Sequence, residues 1–336
     1  MHMADSLLSP SVATAMYIAS GIATGYSIHK LRKEEDLTKK IPTMGVMGAF
    51  VFATQMVNFT IPGTGSSGHL CGGILLSSIL GPYAGFLSMI GVLLIQALFF
   101  ADGGLLALGA NIWNMSFYGC FIGSLIWKLI MKNGASKKKI IISSILSSIL
   151  TLQLGAFSVT IETLLLGITS LPFKTFVGVM QPIHLAIGIV EGIITAAVLC
   201  FIYEVRPELL YNSNNFENKK ERFSYKKTLI VLTILFVIIG GGISLLASSN
   251  PDGLEWSIQK LTGETEIEEK EDSVFATASK IQDTTSFLPD YAFKDNENTV
   301  GTSVSGLVGC AITVFSLCGI GYIIKLTKKK EKVVNG

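Results

Sequence analysis

The sequence predicts an all-α integral membrane protein: about seven helical segments in a bundle, with re-entrant or short paired helices at 74–100, then a two-helix C-terminal module. Three observations predict this class. Of the 336 residues, 49% are hydrophobic and only 15% charged, a balance found in polytopic membrane chains rather than soluble domains. The charges are excluded from long runs, and a spanning helix needs about 20 mostly apolar residues. The lysines and arginines gather in four short stretches, as they do in loops on one side of a membrane.

The charge-free runs come in chain order at 11–29, 41–101, 103–127, 140–161, 175–203 (interrupted only by Glu191), 228–251 and 298–324. They are too long and continuous for barrel strands, so helices are the expected spanning form. Five cysteines, Cys71, Cys120, Cys200, Cys310 and Cys318, contain no CxxC pair, and a disulfide framework is not expected.

Orientation follows from the basic stretches at 29–40, 132–139, 219–227 and 325–332. With all four on the cytoplasmic side, Met1 lies outside and the C-terminus inside a prokaryotic cell membrane. The loops at 62–73 ("PGTGSSGHLCGG") and 101–104 are then both external, so residues 74–100 have to enter and leave on the same side. Gly81-Pro82 falls near the middle of this stretch, where proline breaks the helical ladder and favours a turn. A single kinked span is the alternative, and it would put Lys137, Lys138 and Lys139 outside.

The chain divides into a membrane domain at 1–212, a polar cytoplasmic linker at 213–227 and a C-terminal module at 228–336. Two helices of that module enclose an external loop at 248–299 with twelve acidic residues against four lysines. Such a loop raises the local cation concentration, or it is simply a solvated polar loop.

The start, "MHMADSLLSP", has no basic leader before Lys30, and a cleaved signal peptide is not expected. Met1 is expected to persist, since a bulky second residue disfavours its removal. A free Met-His terminus is a ready chelate: the Met1 amine, the His2 backbone nitrogen and His2 Nδ1 close a five- and a six-membered ring on one metal ion. Three nitrogens in a plane suit Ni(II) or Cu(II) first, with Co(II) possible. A fourth ligand is available in His69, which a glycine-rich loop can bring to the bundle mouth. Cys71, two residues on, is an alternative for a soft metal. His29 reads as interfacial. His184 and Glu191 share a helical face within a span; an ionisable pair there is either part of a transport path or a structural hydrogen bond.

These stretches carry a resemblance. The Met-His terminus, the loop "PGTGSSGHLCGG" with the helices after it, "QPIHLAIGIVEGIITA" and the later "NPDGLEWS" together resemble the nickel/cobalt substrate-binding membrane component of energy-coupling factor (ECF) ABC transporters, the CbiM/NikM type. The part after residue 220 resembles the small PDGLE-containing accessory subunit, here fused to it, so the likeness covers nearly the whole chain. It implies that Met1, His2 and His69 hold the metal, and that Ni2+ or Co2+ is the transported substrate rather than a cofactor. It also implies two cytoplasmic ATPase subunits and a membrane coupling (T) subunit as partners. The family's terminus commonly reads Met-His-Ile, then an acidic residue and glycine; here Met3 is either an axial thioether or a core contact. Thr64, Ser66, Ser67, Asp102, Asn111 and Asn114 are candidates to orient the ligands, with structural hydrogen bonds as the alternative for each.

No G-x-x-x-x-G-K-[ST] phosphate loop occurs, so the chain is not expected to hydrolyse ATP itself, and nothing points to nucleic acid. A membrane metalloenzyme would want a catalytic acid or base beside an open metal position, and no HExxH or comparable pair is present. A passive channel or sensor would not need the accessory module. Small residues at four-residue spacing, Ala15, Ala19 and Ala23 on the first segment and Gly45, Ala49 and Ala53 on the second, suit either the coupling subunit or internal packing. Inner ligands do not separate nickel from cobalt, and the planar chelate leans to nickel.

Overall fold

The computed structural model describes residues 1–34, 37–166, 171–212, 222–267, 273–293 and 299–334. After a 3-10 turn at Asp5–Leu7, helix α1 spans Pro10–Lys33. Ser9 caps its start by accepting from Val12 N, with Pro10 in the first turn, and Lys30, Arg32 and Lys33 end it. Each choice fits the unpaired groups and dipole of a helix terminus. Helix α2, Leu37–Gln55, returns to the starting end. There strands β1, Phe59–Ile61, and β2, Ser66–Gly68, form an antiparallel hairpin with Phe59 opposite Gly68.

Residues 73–100 are paired helices, as the charge distribution requires. Helix α3, Gly73–Leu80, and α4, Pro82–Phe100, meet at Gly81, whose φ of 80° lies in the left-handed region. Proline follows as the first residue of α4, and glycine supplies the turn at no steric cost. The hairpin tip is fixed at the basic end by Tyr211, whose N–H donates to Ser78 O at 2.7 Å.

Helix α5, Leu108–Asn111, runs through a π-helical stretch at Ile112–Ile122 into α6, Gly123–Met131. Two long helices, α7 at Lys137–Leu166 and α8 at Phe173–Val205, pack side by side and complete the seven segments. The C-terminal module supplies α9 at Tyr225–Gly241, α10 at Gly253–Thr262, α11 at Ser273–Thr285 and α12 at Thr299–Val334. Of the expected linker, 213–221 lie outside the described residues, as does part of the acidic loop, including Glu268, Glu269, Glu271, Asp272, Asp295 and Glu297.

Five described helices, α4, α7, α8, α9 with its short extension, and α12, are long and apolar enough to cross a membrane. Helices α1 and α2 fall outside that set. The core is rich in aromatic side chains, with Phe52, Phe86, Phe100, Trp127 and Phe176 fully buried. Large apolar side chains such as Ile22, Leu129, Leu165, Ile193 and Phe315 stay exposed around the bundle, the pattern of helices solvated by hydrocarbon. The small face of α2 is internal: a Cβ on Gly45 would meet Cys318 Sγ at 2.7 Å and one on Gly48 would meet Leu317 at 2.1 Å, both on α12. On α1, Ala15 is exposed, Ala19 is half-buried and Ala23 packs against the core. All five cysteines are free.

Candidate metal centre

The first eight residues lie across the bundle end that carries the β-hairpin, and polar contacts rather than helix hold them there. Asn111 clamps residue 3 twice: Met3 N donates to Asn111 Oδ1 at 2.8 Å, and Asn111 Nδ2 donates to Met3 O at 3.1 Å. Gly104 N adds a bond to Met3 O at 2.9 Å, and Ala107 N donates to Asp5 Oδ1 at 2.8 Å. The Met3 side chain is fully buried, with its sulfur 3.6 Å from Asn114 Nδ2, which also donates to Glu162 Oε2 at 2.8 Å. Of the two readings of Met3, the observed contact is the core one, and it sets the depth of the residues before it.

Gly104 allows this seat, since a Cβ there would lie 1.8 Å from Asp5 Oδ1 and 2.5 Å from Asp5 N. We expect Gly104→Ala to lift the N-terminal segment at a cost of roughly 1–3 kcal/mol. Nickel affinity, read by calorimetry, should fall about ten- to hundredfold with every proposed ligand still present.

Met1, His2 and His69 come together, although 68 positions separate Met1 from His69. The Met1 nitrogen is 3.3 Å from His69 Nε2, and the His2 and His69 rings stack at 5.4 Å between centroids, 19° from parallel. His69 Nδ1 lies 2.9 Å from Leu70 O. With the N–H on that side, Nε2 presents its lone pair to the amine. The loop behind His69 is pinned by Glu191, whose two carboxylate oxygens accept from Cys71 N at 2.9 Å and Gly72 N at 3.0 Å. Glu191 thus shapes the loop, and no hydrogen bond joins it to His184 among the described residues. His184 Nδ1 lies 2.8 Å from Met180 O. Cys71 Sγ lies 3.3 Å from Met115 O, a backbone contact for the thiol.

His2 sits in a polar cradle. Its Nδ1 is 3.1 Å from Asp102 Oδ1 and its Nε2 is 3.2 Å from Gln96 Oε1. Gln96 Nε2 donates to Gln55 Oε1 at 3.0 Å and to the Tyr291 hydroxyl at 3.2 Å. Tyr291 in turn donates to Asp102 Oδ2 at 2.5 Å. The imidazole nitrogen that a Met-His chelate uses is therefore the one facing Asp102.

The C-terminal module closes the site with Asp252. One carboxylate oxygen lies 2.5 Å from the Met1 nitrogen, and the other caps α10 by accepting from Leu254 N at 2.8 Å and Glu255 N at 2.9 Å. Glu255 completes a capping box on Asp252 N, so the helix end and the ion pair fix the same side chain. The segment before it joins β2 directly: Ser67 N donates to Pro251 O at 2.8 Å and Ser67 Oγ to Asn250 O at 2.7 Å. Trp256 Nε1 donates to Thr64 O at 3.0 Å. Ser66 Oγ donates to Ser67 O at 3.1 Å and Thr64 Oγ1 to Ile61 O at 2.8 Å. Thr64, Ser66 and Ser67 thus build the hairpin and dock the module, whereas Asp102, Asn111 and Asn114 hold the N-terminal segment.

Charge at this site is set by burial and by the ion pair. Burial works to lower the Met1 amine, and against it the Asp252 carboxylate, with Asp102 and Glu255, raises the amine above its ordinary 8.0. On Asp252 the roles reverse: burial pushes its carboxyl up, while the ammonium and then His69 hold it well below the usual range. Burial first, then the ammonium and His2, push His69 down to about 4. Burial also lowers His2, against the pull of Asp102. Around them a cavity of about 350 Å³ is lined by Asp102, Asp252, Glu255, Glu266, Asp290 and Tyr291 among others. Burial and then the negative charge of Asp252 raise Glu255 to about 7.

Among the described residues no three His, Cys, Asp or Glu side chains converge as a metal cage. Main-chain nitrogens are what this site adds to its imidazoles, and a Met-His terminus supplies them. Sequence reasoning missed Asp252, Gln96, Gln55, Tyr291 and Glu162. The D-x-x-E of "PDGLE" marks a helix start, but only the tertiary fold carries it to Met1.

Comparison with known proteins follows this division. The family described as the cobalt uptake substrate-specific transmembrane region matches residues 2–209, and the PDGLE domain matches 226–326. A chain described as a fused nickel transport protein, from Archaeoglobus fulgidus, is 33% identical over 94% of this chain and 96% of its own. A cobalt transport protein from Sorangium cellulosum is 33% identical over 62% of this chain and 94% of its own. A crystal structure of a truncated transition metal transporter superposes with a TM-score of 0.53 at 32% identity, over 61% of this chain and 99% of that one.

Proposed function

Because the chain belongs to the family of cobalt uptake substrate-specific transmembrane regions, fused to a PDGLE domain, and is a nickel/cobalt transport component rather than an enzyme, we propose that it captures Ni2+ or Co2+ outside the cell for an ATP-driven ECF-type transporter. The ligands in this reading are the Met1 amine, the His2 backbone nitrogen, His2 Nδ1 and His69 Nε2. One observation carries it: the amine and the free Nε2 lone pair face each other at 3.3 Å. Metal–nitrogen bonds of about 2.0 Å put adjacent corners of a square about 2.8 Å apart, so a small closure brings both nitrogens onto one ion. Four nitrogens in a plane favour nickel, with cobalt next.

Loading requires two contacts to break. Asp252 has to leave the amine, and His2 has to turn Nδ1 from Asp102 toward its own backbone nitrogen. The acidic vestibule draws the hydrated cation in and receives the displaced protons. Met1 lies on the extracytoplasmic side in this reading, and the basic end meets the cytoplasm. A membrane coupling subunit and two ATPase subunits supply the energy, since the chain has no phosphate loop of its own.

Calorimetry on the full chain in detergent tests the reading. Native protein should bind Ni2+ in the micromolar range or tighter, and His2→Ala should bind about 100-fold more weakly, close to 2.7 kcal/mol. Equal affinities would remove His2 from the site.

A further inference from the structure

Two acceptors face the nitrogens of the His2 ring. Asp102 Oδ1 is 3.1 Å from Nδ1, and Gln96 Oε1 is 3.2 Å from Nε2. The amide orientation follows from a group that can only accept: Gln55 Nε2 donates to Cys71 O at 2.8 Å, so Gln55 turns its oxygen to Gln96, and Gln96 Nε2 donates to it at 3.0 Å. Gln96 Oε1 is thereby left for His2. Gln96 is fully buried, and its second amide N–H donates to the Tyr291 hydroxyl at 3.2 Å. That hydroxyl gives its own proton to Asp102 Oδ2 at 2.5 Å. His2, Asp102, Tyr291 and Gln96 close a ring of contacts, and Tyr291 is its member from the C-terminal module.

A 3-10 turn at Pro289–Tyr291 brings the tyrosine here, with φ of 50° at Asp290 and 59° at Tyr291, the left-handed region that L side chains rarely adopt. Such a conformation persists where its surroundings over-determine it. The Tyr291 ring stacks on Phe100 at 4.9 Å between centroids, 18° from parallel, and makes a T-shaped contact with Phe52 at 6.2 Å. Leu288 N donates to Phe99 O at 3.3 Å. Gln282 ties the same arm of the module to the loop that carries Asp102, donating to Ala97 O at 2.9 Å and to Gly103 O at 2.8 Å. The ring packing needs only a phenyl group, so the hydroxyl is left with one task, the pair of bonds to Gln96 and Asp102.

A neutral histidine that binds metal through Nδ1 carries its proton on Nε2, and that N–H needs an acceptor to fix the ring. A half-turn about Cβ–Cγ, which swings Nδ1 away from Asp102, exchanges the places of Nε2 and Cε1. Nε2 then stays on the ring edge between Gln96 Oε1 and Asp102 Oδ1, and both are acceptors. We propose that Tyr291 is a positioning residue of the metal site: its hydroxyl holds these two oxygens ready for the Nε2–H of metal-bound His2, so the C-terminal module sets the orientation of a ligand near the other end of the chain. This rests on the capture site proposed above. Tyr291 is not a ligand and acts through Asp102 and Gln96.

Tyr291→Phe, which removes the hydroxyl and keeps the stack on Phe100, tests this in the full chain in detergent. Planar four-coordinate nickel is diamagnetic, so nitrogen-15 NMR of the histidine-labelled, nickel-loaded protein reads the His2 ring directly. Native protein should show a metal-bound Nδ1 and an Nε2–H protected from exchange with water. Tyr291→Phe should bind nickel about tenfold more weakly and exchange that N–H about tenfold faster. Gln282→Ala loosens the same arm without touching the hydroxyl; it should lower the unfolding midpoint and leave the exchange rate of loaded His2 near that of native protein. Native affinity and exchange in Tyr291→Phe, or equal acceleration in Gln282→Ala, overturns the proposal and leaves the capture site standing. Absence of a metal-bound Nδ1 on His2 in native protein overturns the capture site and the proposal with it.

Discussion

One residue added ahead of Met1 should abolish high-affinity nickel binding, weakening it by about a thousandfold or more, roughly 4 kcal/mol. The extension converts the Met1 amine to an amide and moves the free amine out of its seat between His69 and Asp252, so the chelate can no longer form against His69 Nε2. It also has no room. The Met1 nitrogen lies between His69 and Asp252, and its side chain reaches Gly155, where a Cβ would meet the Met1 methyl at 2.9 Å. Calorimetry of extended and native chains, with a folding control by thermal unfolding, measures the effect. Native-like binding by the extended protein would show that the amine is not a ligand.

Nickel affinity should fall about a hundredfold for each pH unit below neutrality, because binding releases two protons, one from the Met1 ammonium and one from the His2 amide. The sign follows from the charges around it: against burial, Asp252 with Asp102 and Glu255 raises the amine above 8.0, so the amine is protonated across the neutral range and has to give that proton up. Above the raised value only the amide proton remains, and the slope should drop to tenfold. His69, pushed down to about 4, adds nothing above about pH 5. Asp252→Asn should move the break toward lower pH by removing the carboxylate that holds the proton. Isothermal titrations in several buffers count the released protons directly, and a slope near zero would contradict the chelate.

The bundle was legible because its constraints are one-dimensional. Runs without charge and the side on which lysines gather fix the number of segments, and they require residues 74–100 to double back, as α3 and α4 do around Gly81. Met1, His2 and His69 could be named because each type has metal chemistry that does not depend on its surroundings. Asp252 could not be singled out: in sequence it is one of twelve acids in a loop, and what distinguishes it is the backbone pairing of Ser67 with Pro251. Gln96 was hidden for the opposite reason, as an uncharged amide inside an apolar helix whose value appears only when His2 lies beside it. The polar residues of the loop divided by partner, Thr64, Ser66 and Ser67 toward the hairpin and the module, Asp102, Asn111 and Asn114 toward the first residues.

The Met1–Asp252 pair joins residues 251 positions apart, in a chain that fuses what could be two polypeptides. Covalent tethering makes the return of Asp252 to the amine a unimolecular event, with an effective concentration set by the intervening chain rather than by protein abundance. An untethered module would leave the site open at low expression and crowd it at high expression. In this chain one copy of the carboxylate always accompanies one copy of the amine, so competition between proton-bearing ion pair and metal is independent of dilution.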